Sequence, residues 1–88
     1  MEFDWDAGKA AANLAKHGVS FEEAAALDWS NAVTVQQMVN DEVRFVALAP
    51  SGDRLHFCAY VDREGTRRII SLRKANRREV HRYLEIME

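Results

Sequence analysis

Two seven-residue runs, Val-Arg-Phe-Val-Ala-Leu-Ala at 43–49 and Leu-His-Phe-Cys-Ala-Tyr-Val at 55–61, stand on either side of Pro50-Ser51-Gly52-Asp53. β-Branched and aromatic side chains suit a pleated, half-buried surface, and Pro, Ser, Gly and Asp are what turns select. The segment therefore predicts a β-hairpin. In its second run Leu55, Phe57, Ala59 and Val61 share one face, and His56, Cys58 and Tyr60 the other. Working outward, Ala32 to Met38 alternates β-branched with polar residues and ends at the turn Asn40-Asp41. On the other side Asp62 to Thr66, with Gly65, turns into a last strand, Arg67 to Leu72. Alternation there sets Arg68, Ile70 and Leu72 against Arg67, Ile69, Ser71 and Arg73, so both faces are partly covered. Four strands joined by short turns make an antiparallel meander.

Helical signals flank it. Phe3 to Trp5 suits a short edge strand, Asp6 is an N-cap, Ala7 to His17 has helix-compatible composition, and Gly18 is a left-handed stop. Ser20-Phe21-Glu22-Glu23 matches the capping box, with Val19 and Ala24 as a staple, and predicts a second helix ending near Leu27 to Trp29. At the C-terminal end, Val80, Tyr83, Leu84 and Met87 recur at helical spacing behind the cap pair Asn76 and Glu79, giving a stripe that must dock on the sheet. The order is strand, two helices, meander, helix: an α+β architecture with helices on one side or end of a twisted sheet.

With 88 residues, 48% apolar and 30% charged, residues 1–88 make a single domain near the small end of what folds unaided. No apolar run is long enough to cross a bilayer and no basic-then-apolar leader follows Met1, so the expected location is the cytoplasm. Cys58 is the sole cysteine, which excludes an internal disulfide and a multi-thiolate metal site.

The net charge of −2 is an average of unlike segments. Residues 1–62 carry four basic and ten acidic groups, net −6, whereas 63–88 carry eight basic and four acidic, net +4. Such a split predicts an electropositive face suited to phosphates or to an acidic partner. Six of the twelve side chains from Arg67 to Arg78 are cationic: Arg67, Arg68, Arg73, Lys74, Arg77 and Arg78. Guanidinium forks match phosphate oxygens and stay charged, so the cluster can hold a backbone phosphate and stabilise a phosphorane. Arg82 and His81 extend it along the last helix.

His17, at a helix end beside Lys16, has two uses open to it: capping carbonyls, or acting as acid or base for a ribose 2′-hydroxyl. His56 and His81 suit structural or solvated roles. The carboxylates form no metal-ligand spacing, and neither a phosphate loop nor a Gly-x-Ser-x-Gly elbow occurs, so no metal or other cofactor is expected. Trp5 and Trp29 are core or rim aromatics first. On this basic segment together with the motif blocks that follow, two function classes are open: a metal-independent endoribonuclease, in which Arg68, Arg73 and Lys74 bind the scissile phosphate while His17 or Glu79 moves protons, or a binding module whose basic face engages an acidic protein segment or nucleic acid without catalysis.

Taken as a set, Phe3-x-Trp5-Asp6-x-x-Lys9, Asn13-x-x-Lys16-His17-Gly18-Val19-Ser20-Phe21-Glu22-Glu23-Ala24, Arg68-Ile69-Ile70-Ser71-x-Arg73-Lys74-Ala75 and Glu79-x-x-x-Tyr83 resemble the BrnT family of bacterial type II toxins over nearly the whole chain. The resemblance implies a RelE-like fold and a ribonuclease that inhibits translation and growth by cutting RNA. It also implies a BrnA-type antitoxin with a ribbon-helix-helix portion, through which alone operator DNA is met. Carried over by motif position as site residues are Lys16, His17, Arg68, Ser71, Arg73, Glu79 and Tyr83, with Arg67, Lys74, Arg77, Arg78 and Arg82 as the basic residues for RNA.

Overall fold

The computed structural model describes residues 1–88. The elements are β1 (Glu2–Asp4), α1 (Ala7–His17), two 3₁₀ turns (Phe21–Ala26 and Trp29–Asn31), β2 (Val33–Val39), β3 (Glu42–Ser51), β4 (Arg54–Arg63), β5 (Thr66–Lys74) and α2 (Arg77–Met87). They build an α+β fold around one five-stranded mixed sheet of order β1-β5-β4-β3-β2, in which only β1 runs parallel to its neighbour.

All three hairpins close on two-residue turns. Asn40 and Asp41 have φ of 49° and 62°, and Glu64 and Gly65 have 49° and 83°, the double positive φ that matches the right-handed twist of the strands. Between β3 and β4 only the first turn residue, Gly52 with φ 61°, is positive, the other arrangement that suits a two-residue hairpin. The turn there is tighter than the four-residue signal predicts: Pro50 and Ser51 remain paired, with Leu55 and Arg54. Pro50 is tolerated because β2 ends its pairing at Leu48, so no neighbouring strand calls on the missing N–H.

Strict alternation fails in β5. Cys58 pairs with Leu72 and Ala59 with Ser71, but Tyr60 pairs with Ile69, so Ile70 is an extra residue bulged out of the ladder. The bulge puts Ile69 and Leu72 into the same core and moves Ser71 and Arg73 to the face opposite Arg67 and Ile69. Beyond the three pairs with β1, the outer edge of β5 is met by Asn13 of α1. The Asn13 amide donates to Leu72 O at 2.7 Å and to Val19 O at 3.0 Å, while its carbonyl accepts from Leu72 N at 3.2 Å. A side-chain carboxamide thus takes the place of a neighbouring strand and satisfies a buried edge.

α1 has the predicted limits: Asp6 accepts from Lys9 N at 3.0 Å, and Gly18 is left-handed with φ 71°. The second helix is a correction. Glu23 N donates to Ser20 O at 3.0 Å in an i→i+3 pattern, leaving the Ser20 hydroxyl to accept from Glu22 N, so no capping box forms and the segment winds as 3₁₀. Phe21, Ala24 and Leu27, all buried and three apart, explain the choice: a three-residue turn aligns them on one side.

Helices lie on both faces of the sheet, not on one side. On the face bearing Cys58, Tyr60, Ile69 and Leu72, the main core packs against Val19, Phe21, Ala24 and Leu27. Trp29 and Tyr60 meet edge to face at 5.4 Å and Phe45 stacks on Tyr60 at 5.5 Å, closing that surface. On the other face Leu48, Leu55 and Ala75 form a smaller buried cluster under Val80 and Tyr83 of α2, and Val61 is buried apart from it. The capping box predicted for α2 is present, but its apolar stripe docks only in part. Leu84, Ile86 and Met87 remain about half exposed, and no residue of α2 is fully buried.

Candidate functional site

Because α2 covers only one end of its face, the rest of that sheet surface is open. Register places Val35, Val46, Ala59 and Ser71 side by side across its middle, and Gln37, Arg44, Val61 and Arg68 in the row beyond. Between α2 and this surface runs a groove of about 310 Å³, with Val33, Val35, Val46 and Phe57 on its floor and Glu79, Arg82 and Ile86 on its wall.

Arg73 stands at the groove. Its guanidinium lies 4.0 Å above the Phe57 ring and donates two parallel hydrogen bonds to Glu79, at 2.8 and 2.9 Å. Glu79 owes its position to the cap of α2, where it also accepts from Asn76 N at 2.9 Å while Asn76 accepts from Glu79 N. The Arg73 hydrogen bonds hold the Glu79 carboxyl below the ordinary glutamate range. A planar cation on an aromatic floor, its fork already matched to a carboxylate, has the chemistry to hold a phosphate or carboxylate. Ser71, two residues along β5, is half-buried on the same face opposite Ala59.

The far end carries a second cationic group. Arg68 pairs with Asp4 at 3.3 Å. Arg63 pairs with Glu42 at 3.1 Å, and Arg44 Nε lies 3.6 Å from the same carboxylate. Together with Lys9 they line a groove of about 260 Å³, which Asp6, Glu42 and Val61 also border. Sequence reasoning passed over Arg44. The signal was there: a lone cation in the apolar run 43–49, in phase with Val46 and Leu48.

The remaining predicted residues are dispersed. Arg67 is on the closed face, doubly bonded to Asp62 at 2.8 and 2.9 Å and lying 4.5 Å from the Trp29 ring centre and 4.2 Å from that of Tyr60. Lys74 is exposed at the end of β5, one residue out of phase with Arg73. Arg77, Arg78 and His81 border a shallow surface depression on the outside of α2. Tyr83 packs on the smaller core and its hydroxyl donates to Asn31 O at 2.7 Å. Lys16, exposed, and His17, half-buried, close α1, and no hydrogen bond or ion pair joins them to Arg68, Ser71, Arg73 or Glu79. The eight basic residues after Asp62 are therefore not gathered on one face.

His56 is buried in β4, its Nδ1 3.1 Å from Arg54 O, and Cys58 is fully buried in the main core. Burial pushes the Cys58 thiol up to about 12, which removes it as a nucleophile. No three His, Cys, Asp or Glu side chains come together as metal ligands, and no helix is long and apolar enough to cross a membrane.

Residues 5–79 match the family model described as "Ribonuclease toxin, BrnT, of type II toxin-antitoxin system". No curated protein matches the chain.

Proposed function

We propose that this chain, which belongs to the BrnT family of ribonuclease toxins of type II toxin-antitoxin systems, is a metal-independent endoribonuclease that cuts RNA in the groove between α2 and the open sheet face. The observation that carries the proposal is the Arg73–Glu79 pair over Phe57, a phosphate-shaped cation already holding a two-oxygen anion beside an open groove.

An RNA phosphate entering the groove displaces Glu79 from Arg73. The guanidinium then neutralises the phosphate and stabilises the charge that grows on the phosphorane as the neighbouring 2′-hydroxyl attacks. Glu79, released from the hydrogen bonds that lower its pKa, becomes the stronger base and accepts the 2′-hydroxyl proton. The P–O5′ bond breaks to leave a 2′,3′-cyclic phosphate, and the departing 5′-oxygen takes a proton from water in the open groove. Arg82 borders the groove, Ser71 lies on the same face of β5 as Arg73, and Tyr83 joins α2 to Asn31. Lys16 and His17 receive no step.

The toxin family implies an antitoxin partner. We assign that partner to the BrnA type, the fold to the RelE-like class, and the site of action to translation in the cytoplasm. Purified protein incubated with RNA and a chelator should release products ending in cyclic phosphate, and a 2′-deoxy substitution at the cut position should block them. Binding without products would replace this proposal with the non-catalytic module. Cleavage that stops on chelation would overturn metal independence.

A further inference from the structure

We propose that Arg44 and Arg63, beside Arg68, form a second phosphate site at the far end of the open face, which grips the RNA a few nucleotides from the phosphate at Arg73. The inference rests on the ribonuclease reading above and extends it to the length of substrate the protein holds.

Three observations carry it. The Arg44 Nε is buried and has no hydrogen-bond partner. Its nearest acid, Glu42, sits at 3.6 Å, within ion-pair range but beyond hydrogen-bond reach, and Glu42 is already bonded to Arg63 at 3.1 Å. Buried charged donors are rarely left without an acceptor, so two arginines sharing one carboxylate leave room for a second anion. Next, the site is open: Arg44 and Arg63 are 35% and 66% exposed and border the 260 Å³ groove with Arg68 and Lys9. Finally, the surface between the two sites is continuous. Arg73 and Arg68 pair with Phe57 and Val61, four residues apart on β4, roughly 13 Å at strand rise. The floor between them is made of Val46, Ala59 and Ser71, low side chains over which an extended strand can lie flat. A cationic point at each end of a low floor fits a polyanion of regular spacing better than a single carboxylate.

Cleavage of RNAs of increasing length by the wild type and by an Arg44→Gln/Arg63→Gln double variant tests the site. Neither residue touches the proposed reacting atoms. On RNA long enough to span both ends, KM should rise about tenfold with kcat unchanged, and the slope of log affinity against log salt should fall by about 2. On RNA too short to leave Arg73, the two proteins should behave alike. Equal losses at both lengths, or no loss at either, overturn the site. If no RNA is cut, the ribonuclease reading falls separately, and fluorescence anisotropy with the same RNAs still decides: unchanged affinity and salt slope overturn the second site. Weakened antitoxin binding with RNA binding intact would make it a protein contact and also overturn it. Should the double variant fail to fold by circular dichroism, Arg63→Gln, at the more exposed position, carries the test with a slope change of about 1.

Discussion

Arg67 and Arg73 lie on the same strand, each doubly bonded to one carboxylate, Arg67 against two aromatic rings and Arg73 over one, yet their surroundings differ. The partner of Arg67 is Asp62, directly across the β4–β5 ladder, so both ends of the pair are fixed by strand register. Trp29 and Tyr60 flank the guanidinium, whose side chain is 14% exposed. The partner of Arg73 is Glu79, held on a helix with no fully buried residue, and the side chain is 27% exposed beside a groove. A salt bridge between two strands ties the sheet together, whereas one from strand to lightly docked helix can open for a ligand. The bulge at Ile70 is what separates the two arginines, since without it positions 67 and 73 would share a face.

The largest expected effect tests that contrast directly. Arg73→Ala should lose about 10²–10³-fold in RNA cleavage, the usual result of removing one donor that stabilises transition-state charge. Circular dichroism should show it folded, because its partner sits at a rim and not in the core. Arg73→Lys should recover only part of the rate, since an ammonium cannot reproduce the two parallel hydrogen bonds. Arg67→Ala should cut RNA at close to the wild-type rate per folded molecule. An equal loss of activity in both folded variants would erase the distinction between the two faces.

Much of the frame was legible in the sequence. Turn residues marked all three hairpins, Asp6 and Gly18 bounded α1, and Asn76 with Glu79 announced the cap of α2. Alternation could not show where it breaks, because Ile69 and Ile70 are the same residue type and either could be the one bulged. The 3₁₀ winding at 21–26 depends on tertiary burial of Phe21, Ala24 and Leu27, which overrides a local capping signal. In the site, Arg73 and Glu79 were both singled out, but their pairing needs β5 and α2 to meet in space. Charge counting grouped cations by chain position, and register then distributed them over two faces and the outer side of a helix.

Stability should show the reverse of activity. Arg67→Ala leaves Asp62 without its partner and removes a guanidinium lying against two rings, which should cost about 2 kcal/mol in urea denaturation. The same comparison can be read at Cys58 on the closed face, where burial keeps the thiol protonated up to about 12 and out of contact with reagents. Alkylation of Cys58 should then follow opening of the main core, and 2 kcal/mol corresponds to a roughly thirtyfold faster reaction in Arg67→Ala. Arg73→Ala should leave that rate within a few fold of wild type.

The smallest effect is the most specific to the exchangeable pair. Glu79→Gln removes the charge that Arg73 faces and should cost about 1 kcal/mol, since the pair is part-exposed at a rim. The sign with pH follows from the lowered carboxyl. Folding favours the ionised form, so Glu79 contributes fully above the ordinary glutamate value of 4.5 and loses that contribution as pH falls through its lowered folded value. The stability gap between wild type and Glu79→Gln should accordingly be constant near neutrality and close in acid. RNA affinity should move the other way: with no carboxylate to displace, Arg73 is free, and Glu79→Gln should bind RNA more tightly while cutting it more slowly for want of a base. A variant that loses affinity and rate together would mean that Glu79 only orients Arg73, as Asp62 orients Arg67, and the exchange at the groove would have no part in the reaction.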